Sequence, residues 1–239
     1  MSLLLPVLGS REYKVSPQKI ICLGLNYAEH IKESAEAESE RFKDEKPNEP
    51  ILFPKTRNTL IGPGQAVILP KILDEYGFRT CRTDYEGELA IILGSGGKNI
   101  SEENAYDHIF GFSCFNDVSQ RNFQKHDKSG WYRGKSLDTF GPIGPAIVLM
   151  KDIGNPQALN IKTRLNGKVV QESNTRLMIF SIREMIAFIS KQFTLEPGDI
   201  IVTGTPSGVG PIVAGDVVEV EIEKIGVLKN PVQAESISG

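Results

Sequence analysis

The chain has 239 residues, 40% hydrophobic and 24% charged, which is enough to bury a substantial core. A formal net charge of −3 and a pI near 5.7 exclude the broad basic surface that nucleic-acid binding uses. No run approaches the roughly 18 apolar residues of a membrane-spanning helix, and 23 glycines with 14 prolines favour a turn-rich, strand-rich fold over a helical bundle.

The first residues, Met1-Ser2-Leu3-Leu4-Leu5-Pro6, carry no basic region, and their apolar run is too short for a signal peptide. The three cysteines, Cys22, Cys81 and Cys114, are odd in number and widely spaced, so neither a disulfide framework nor a zinc motif is expected. Reduced thiols and a cytoplasmic location follow from that reading.

Residues 19–25 (KIICLGL) are a short apolar run ending in glycine and read as a buried strand. Asn26 with Glu29 three residues on resembles a capping box, opening a short helix over about 27–35. Residues 36–50 are densely charged and end in proline; they read as an exposed, mobile segment, and as part of a lid over 26–50 if they order over a ligand. Strands are expected at 51–54, 66–69, 86–93, 111–115 and 146–150, with Ser101 capping a short helix toward Ile109. Asn166-Gly167, between Thr163-Arg164-Leu165 and Lys168-Val169-Val170, is a strong hairpin signal. Ser181 and Glu184 form a second capping box, after which Ile182, Met185, Ile186, Ile189 and Phe193 recur at helical spacing. Strands follow at 199–203 and 216–222. No repeat or linker divides the chain, so residues 1–239 read as a single catalytic domain with an N-terminal segment at 1–18. Strand–turn–strand order with few helices does not support regular βαβ winding.

Four clusters carry possible chemistry. On a strand, Glu86 and Glu88 point to one face, with Gly87 removing bulk from the other. Two carboxylates about 4 Å apart repel by about 4 kcal/mol at an effective dielectric near 20, and a hard divalent cation converts that repulsion into attraction. Taken alone, such a pair is as readily a solvated polar edge. Here the strand runs directly into Ala90-Ile91-Ile92-Leu93, and Asp117 ends another apolar run in the same way. Three acids at strand ends would suit an oxygen-ligated ion.

His30 and Glu33, at i and i+3, share a helical face, where the carboxylate would orient the imidazole as a general base; a surface ion pair is the plainer alternative. His126 beside Asp127 reads as surface. Gly134-Lys135-Ser136 is no phosphate loop, because Ser129 stands where that pattern requires glycine; Lys135 is better suited to a carboxylate or an oxyanion. Finally, the turn Thr203-Gly204-Thr205-Pro206 follows an apolar strand and offers amides and hydroxyls to a carboxylate.

Taken together, the blocks GLNYAEHIKE (24–33), DYEGELAIILG (84–94), FNDVSQRNFQ (115–124), RGKSLDTFGPIGP (133–145), LNGKVVQESNT (165–175) and LEPGDIIVTGTPSGVG (195–210) resemble the fumarylacetoacetate hydrolase family, in one order and over nearly the whole chain. The resemblance implies an α+β, β-rich roll of mixed sheets with few short helices, assembled as a homodimer. It implies metal ligands at Glu86, Glu88 and Asp117 for Mg²⁺, Mn²⁺ or Ca²⁺. It implies catalytic roles for His30, Glu33 and Lys135, and substrate contacts at Lys55, Arg121, Gln124, Gly204 and Thr205. The expected reaction is carbon–carbon hydrolysis of a β-diketo acid such as an acylpyruvate or fumarylpyruvate. Decarboxylation of oxaloacetate, isomerisation of a 2-hydroxy-dienedioate, or a non-catalytic metal-binding scaffold are the alternatives. The partner would be a small 2-oxo acid, with neither nucleic acid nor membrane involved. Asn122 departs from the family's usual aspartate after the arginine, and residues 71–83 look extended.

Overall fold

The computed structural model describes residues 3–37, 46–128 and 130–236. In chain order the strands and helices are β1 (Leu3–Pro6), β2 (Glu12–Val15), β3 (Ile20–Gly24), α1 (Ala28–Ala37), β4 (Ile51–Lys55), β5 (Leu60–Ile61), β6 (Val67–Leu69), β7 (Thr83–Tyr85), β8 (Gly87–Leu93), β9 (Ile109–Asn116), β10 (Ser119–Gln120), α2 (Arg121–His126), α3 (Tyr132–Lys135), β11 (Gly141–Leu149), α4 (Met150–Ile153), β12 (Asn160–Leu165), β13 (Lys168–Asn174), α5 (Ile182–Gln192), β14 (Ile200–Val202), β15 (Gly210–Pro211), β16 (Val217–Ile222) and β17 (Gly226–Ala234). The fold is β-rich and mixed, with few short helices.

A seven-stranded sheet in the order β4-β3-β14-β8-β9-β11-β5 forms the centre, and a five-stranded sheet in the order β13-β12-β16-β17-β6 lies against it. The central strand β8 is buried along its whole length, which is why its sequence runs apolar without alternation. Leu89, Ile91 and Leu93 enter one core layer with Ile161, Val220 and Ile222 of the second sheet and Met185, Ile186 and Ile189 of α5. Ala90 and Ile92 point the other way, into a layer with Cys22, Phe53, Ile143 and Ile147, closed by Leu5, Val7 and Val15 from the β1–β2 hairpin region. Glu88 has the same parity as Ala90 and Ile92, so the carboxylates continue this second layer where the sheet runs out.

Local chemistry explains most element ends. Asn166 and Gly167 adopt φ of 52° and 80°, the left-handed pair of a two-residue hairpin turn that joins Leu165 to Lys168. The capping box at Ser181 and Glu184 opens α5 as expected. Phe193 departs from the expected stripe: it is the C-cap of α5 and 46% exposed, because the helix ends before that residue can turn inward. The helix expected from Ser101 begins only at Ala105, as a single 3₁₀ turn to His108.

Asn26 is not the N-cap of α1. Its side-chain amide donates to Thr203 O at 2.8 Å, and its carbonyl accepts from Phe180 N at 2.8 Å, so it anchors the helix entrance to two other loops. Cys22 and Cys114 are buried, whereas Cys81 is exposed. The greater part of the charged stretch expected as a mobile lid, 38–45, lies outside the described residues. Among the described residues, no helix is long and apolar enough to cross a membrane.

Candidate active site and metal centre

Three strands deliver the acidic residues to one place. Glu86 sits at the break between β7 and β8, Glu88 is the second residue of β8, and Asp117 follows β9. The antiparallel β8–β9 ladder pairs Gly87 with Asn116. Asp117 N then donates to Glu86 O at 2.8 Å, and Asn116 Oδ1 accepts from Glu86 N at 2.9 Å. Carboxylate oxygens of Glu86, Glu88 and Asp117 all lie within 4.8 Å of one another, and all three residues are buried.

Cations stand around two of the three. Lys135 Nζ donates to Glu86 Oε2 and Asp117 Oδ2, each at 2.7 Å. Lys55 Nζ donates to Asp117 Oδ1 at 2.6 Å and to Val118 O at 3.2 Å. Arg121 bridges Glu86 Oε1 at 2.6 Å and Asp84 Oδ2 at 2.8 Å. Burial opposes the charge on Glu86, but Lys135 and Arg121 outweigh it and hold the carboxyl well below the usual carboxylate range. Burial would likewise lower the Lys135 ammonium, but Asp117 and Glu86 raise it. In Lys55 burial prevails and lowers the ammonium despite Asp117.

Glu88 is different. It is 1% exposed, and among the described residues no cationic side chain lies within ion-pair reach; its Oε2 accepts from Gly204 N. Burial, reinforced by Asp117 and Glu86 beside it, pushes its carboxyl well above the usual range. An all-oxygen trio with one uncompensated carboxylate fits a hard divalent cation, whose charge would offset that carboxylate. The donor set therefore passes the chemical test for such an ion.

A cavity of about 290 Å³ opens above the trio. Glu86, Glu88, Lys135 and Thr205 line its inner part, and His30 and Glu33 stand on the α1 side. Glu33 Oε2 lies 3.1 Å from His30 Nδ1, and both Glu33 oxygens accept from Gly208 N at 3.1 Å. The imidazole therefore has Nε2 left for a proton.

The turn after β14 is laced along β8. Thr203 N donates to Leu89 O at 3.1 Å, Gly204 N to Glu88, and Thr205 Oγ1 to Gly87 O at 3.0 Å. Thr205 thus sits on the cavity wall beside the trio, whereas Gly204 meets Glu88 instead of the cavity. Arg121 and Gln124 are also on the wall, joined by Arg121 Nη1 donating to Gln124 Oε1 at 2.9 Å. Lys55, expected at the substrate, stands behind the trio and off the cavity wall; its two bonds make it a support for Asp117.

Several residues at the site were not singled out from sequence. Asp84 anchors both Arg121 and Arg82, with Arg82 Nε 2.8 Å from its Oδ1. Gln171 on β13 accepts from Gly87 N at 3.0 Å and donates to Thr205 Oγ1 at 2.9 Å and Pro206 O at 2.8 Å, tying strand and turn together. His126, expected on plain surface, is exposed but lines the cavity with Asn122 and Lys125. Asn122 uses both ends of its amide, accepting from Arg82 N at 2.8 Å and donating to Thr80 O at 2.9 Å. An aspartate there could not make the second bond, which gives this departure a structural reason.

Comparison with known proteins places these features in a family. The sequence profile described as "Fumarylacetoacetate (FAA) hydrolase C-terminal" matches residues 19–233. The mitochondrial oxaloacetate tautomerase fahd2 of Xenopus laevis is 41% identical over 240 residues, covering 97% of this chain and 68% of that protein. The crystal structure of 2-hydroxyhepta-2,4-diene-1,7-dioate isomerase from Mycobacterium marinum is 37% identical with a TM-score of 0.78, covering 95% of this chain and 79% of that one. Fumarylpyruvate hydrolase from Pseudomonas aeruginosa, solved in complex with Mn²⁺ and pyruvate, is 28% identical with a TM-score of 0.84, covering 98% and 97%. The chain belongs to the fumarylacetoacetate hydrolase family.

Proposed function

We propose that this protein is a divalent-metal-dependent enzyme that interconverts the enol and keto forms of a small 2-oxo acid, with Glu86, Glu88 and Asp117 holding Mg²⁺ or Mn²⁺. The observation that supports it most directly is the buried trio in which Glu88 has no cationic partner among the described residues, set beneath a cavity that His30 and Glu33 face. When bound, the ion would supply charge to hold the substrate's carboxylate and 2-oxo oxygens and to acidify the adjacent carbon. His30 Nε2 takes the proton from that carbon, so that a C–H bond breaks, and the proton returns to the oxygen to complete the enol. Glu33 holds the ring by Nδ1 throughout. Lys135, held by Glu86 and Asp117 at the cavity floor, stabilises negative charge on the reacting oxygen. Arg121 orients the substrate carboxylate, and Thr205, whose hydroxyl is held between Gly87 O and Gln171 Nε2, shapes the cavity wall beside it. α1, which carries His30 and Glu33 on the cavity wall, limits the access of water to the reacting atoms. Residues 1–239 act as one catalytic domain.

The choice of enol–keto chemistry over the carbon–carbon hydrolysis expected from sequence rests on relatives of 37% and 41% identity that are named as an isomerase and a tautomerase. Hydrolysis is the second reading, favoured by the overlap with a fumarylpyruvate hydrolase at a TM-score of 0.84. In that case His30 Nε2 takes a proton from water, the hydroxide adds to the distal carbonyl, the bond to the 2-oxo fragment breaks, and the 2-oxo fragment leaves as an enolate that takes back the proton from His30 at its carbon. One experiment separates them: oxaloacetate and an acylpyruvate are supplied side by side with Mn²⁺ and again with a chelator. Metal-dependent decay of the oxaloacetate enol's ultraviolet absorbance without pyruvate release supports the first reading. Cleavage of the acylpyruvate as the faster reaction supports the second, pyruvate release from oxaloacetate points to decarboxylation, and full activity in chelator would sink the scheme.

A further inference from the structure

Lys55 is the last residue of the edge strand β4, opposite Ile20 of β3, and its side chain runs inward on the same face as Phe53. The side chain is fully covered, with Nζ 2.6 Å from Asp117 Oδ1, behind the trio and off the cavity wall. Placing Asp117 does not require that charge. Asp117 N donates to Glu86 O at 2.8 Å, Ser119 Oγ donates to Asp117 O at 2.8 Å, and Lys135 Nζ holds Oδ2 at 2.7 Å. A neutral donor at position 55 would complete the set. A buried ammonium is costly to desolvate. What Lys55 adds beyond a neutral side chain is one positive charge against a proposed metal ligand.

Charge in the covered cluster is closely matched. Asp84, Glu86, Glu88 and Asp117 are buried acids, and Lys55 and Lys135 are buried cations. Arg121, with a side chain 18% exposed, is ion-paired to Asp84 and Glu86. Arg82 is 47% exposed, so solvent screens it. With Glu88 ionised, as a metal ligand must be, four carboxylates against the three covered cations leave one negative charge. A divalent ion turns that into one positive charge, and a monoanion restores neutrality. Were residue 55 uncharged, the ion alone would bring the cluster to neutrality.

We infer that Lys55 opposes binding of the metal by itself and so couples it to an anionic ligand: the ion is held firmly only when a carboxylate arrives with it. The inference rests on the reading that Glu86, Glu88 and Asp117 hold a divalent cation. Like charges in a covered site repel more strongly than across water, so one buried ammonium is enough to set the affinity. Coupling of this kind is reciprocal: the anion is bound more tightly with the ion than without it. Without the anion, the ion exchanges readily with solvent.

The test measures Mn²⁺ binding by calorimetry, with and without saturating pyruvate, on the parent protein, Lys55→Gln, Lys55→Met and Lys55→Arg; thermal melts in chelator report whether each variant folds. The parent is expected to bind Mn²⁺ about tenfold or more tightly with pyruvate than without it. Lys55→Gln, which keeps a donor, and Lys55→Met, which keeps the length, should each bind Mn²⁺ alone about tenfold more tightly than the parent, and pyruvate should then add correspondingly less. Lys55→Arg should behave as the parent. A merely structural lysine would give the opposite sign, because damage to the trio weakens metal binding. Unchanged or weaker Mn²⁺ affinity in folded Lys55→Gln and Lys55→Met, a pyruvate effect of undiminished size in them, or failure of both to fold would overturn the role of Lys55 and leave the metal reading in place. Absence of Mn²⁺ binding by the parent, with pyruvate and without it, would overturn the metal reading and the coupling together.

Discussion

At the residue scale, Glu88 and Gly87 decide whether the trio can exist. Glu88 is a buried carboxylate that is unfavourable unless a cation joins it. Glu88→Gln keeps an oxygen for the Gly204 amide but removes the charge. It is expected to stabilise the metal-free protein by about 1 kcal/mol while weakening Mn²⁺ binding by roughly a hundredfold or more. Thermal melts in chelator and in Mn²⁺ check this directly: the variant should melt higher than the parent in the first and lower in the second. Gly87 has no such trade. A Cβ built there would overlap Thr163 Oγ1 and come within 3.2 Å of Gln171 Oε1. Gly87→Ala must therefore push β8 off β12 or expel Thr163, at a cost of about 1–3 kcal/mol measured by urea unfolding. The acids were legible in the sequence because they cluster within one strand end and because Asp117 closes an apolar run. Gln171 and Asn116 were not, because they serve backbone groups brought close only by the fold, and nothing in their local sequence marks such a partner.

At the element scale, α1 belongs to no sheet and holds His30 and Glu33, the residues of the proposed proton transfer. Three bonds hold it against the turn after β14: Asn26 to Thr203, Glu33 to Gly208 N, and Ser207 Oγ to Glu29 Oε2 at 3.3 Å. That explains why the reading of Asn26 as an N-cap failed. An asparagine beside a helix start satisfies the usual pattern, yet its amide has two ends, and both find better-buried partners on other loops. The boxes that were read correctly, Ser181 with Glu184 and Asn166-Gly167, complete their bonds or turns within a few residues, so local sequence determines them. Two substitutions on this element should separate chemistry from placement. His30→Ala is expected to lower kcat by about 10²–10⁴-fold with metal affinity nearly unchanged. Asn26→Ala leaves Thr203 O and Phe180 N without their buried partner, costing about 1–3 kcal/mol, and should raise KM and lower kcat together as the helix loosens. Steady-state kinetics with calorimetric metal titration distinguish the two patterns; an unaltered kcat in His30→Ala would remove the histidine from the mechanism.

At the scale of the whole molecule, the mixed sheet gathers the site by topology. The strand–turn–strand order and absence of regular βαβ winding were visible in sequence, but the pairing of β14 between β3 and β8, which joins segments about 180 residues apart, was not. Only the resemblance of whole blocks pointed to it, since strand periodicity carries no information about partners. The consequence is that the acids, the α1 dyad and the threonine turn are held by different parts of one sheet system, and a ligand at their junction should stabilise all of it together. A cation that binds the folded trio alone adds about 2.7 kcal/mol at a hundred times its dissociation constant. For a chain of this size that corresponds to a rise in Tm of roughly 5–10 °C. Mn²⁺ and Mg²⁺ are expected to raise Tm with a concentration dependence that chelator reverses, whereas equal ionic strength of NaCl should not. The shift should vanish in Glu88→Gln, which retains the sheet but lacks the third charge. A rise of equal size in that variant would mean the ion binds elsewhere on the acidic surface, and the junction of these elements would then have to be held by protein contacts alone.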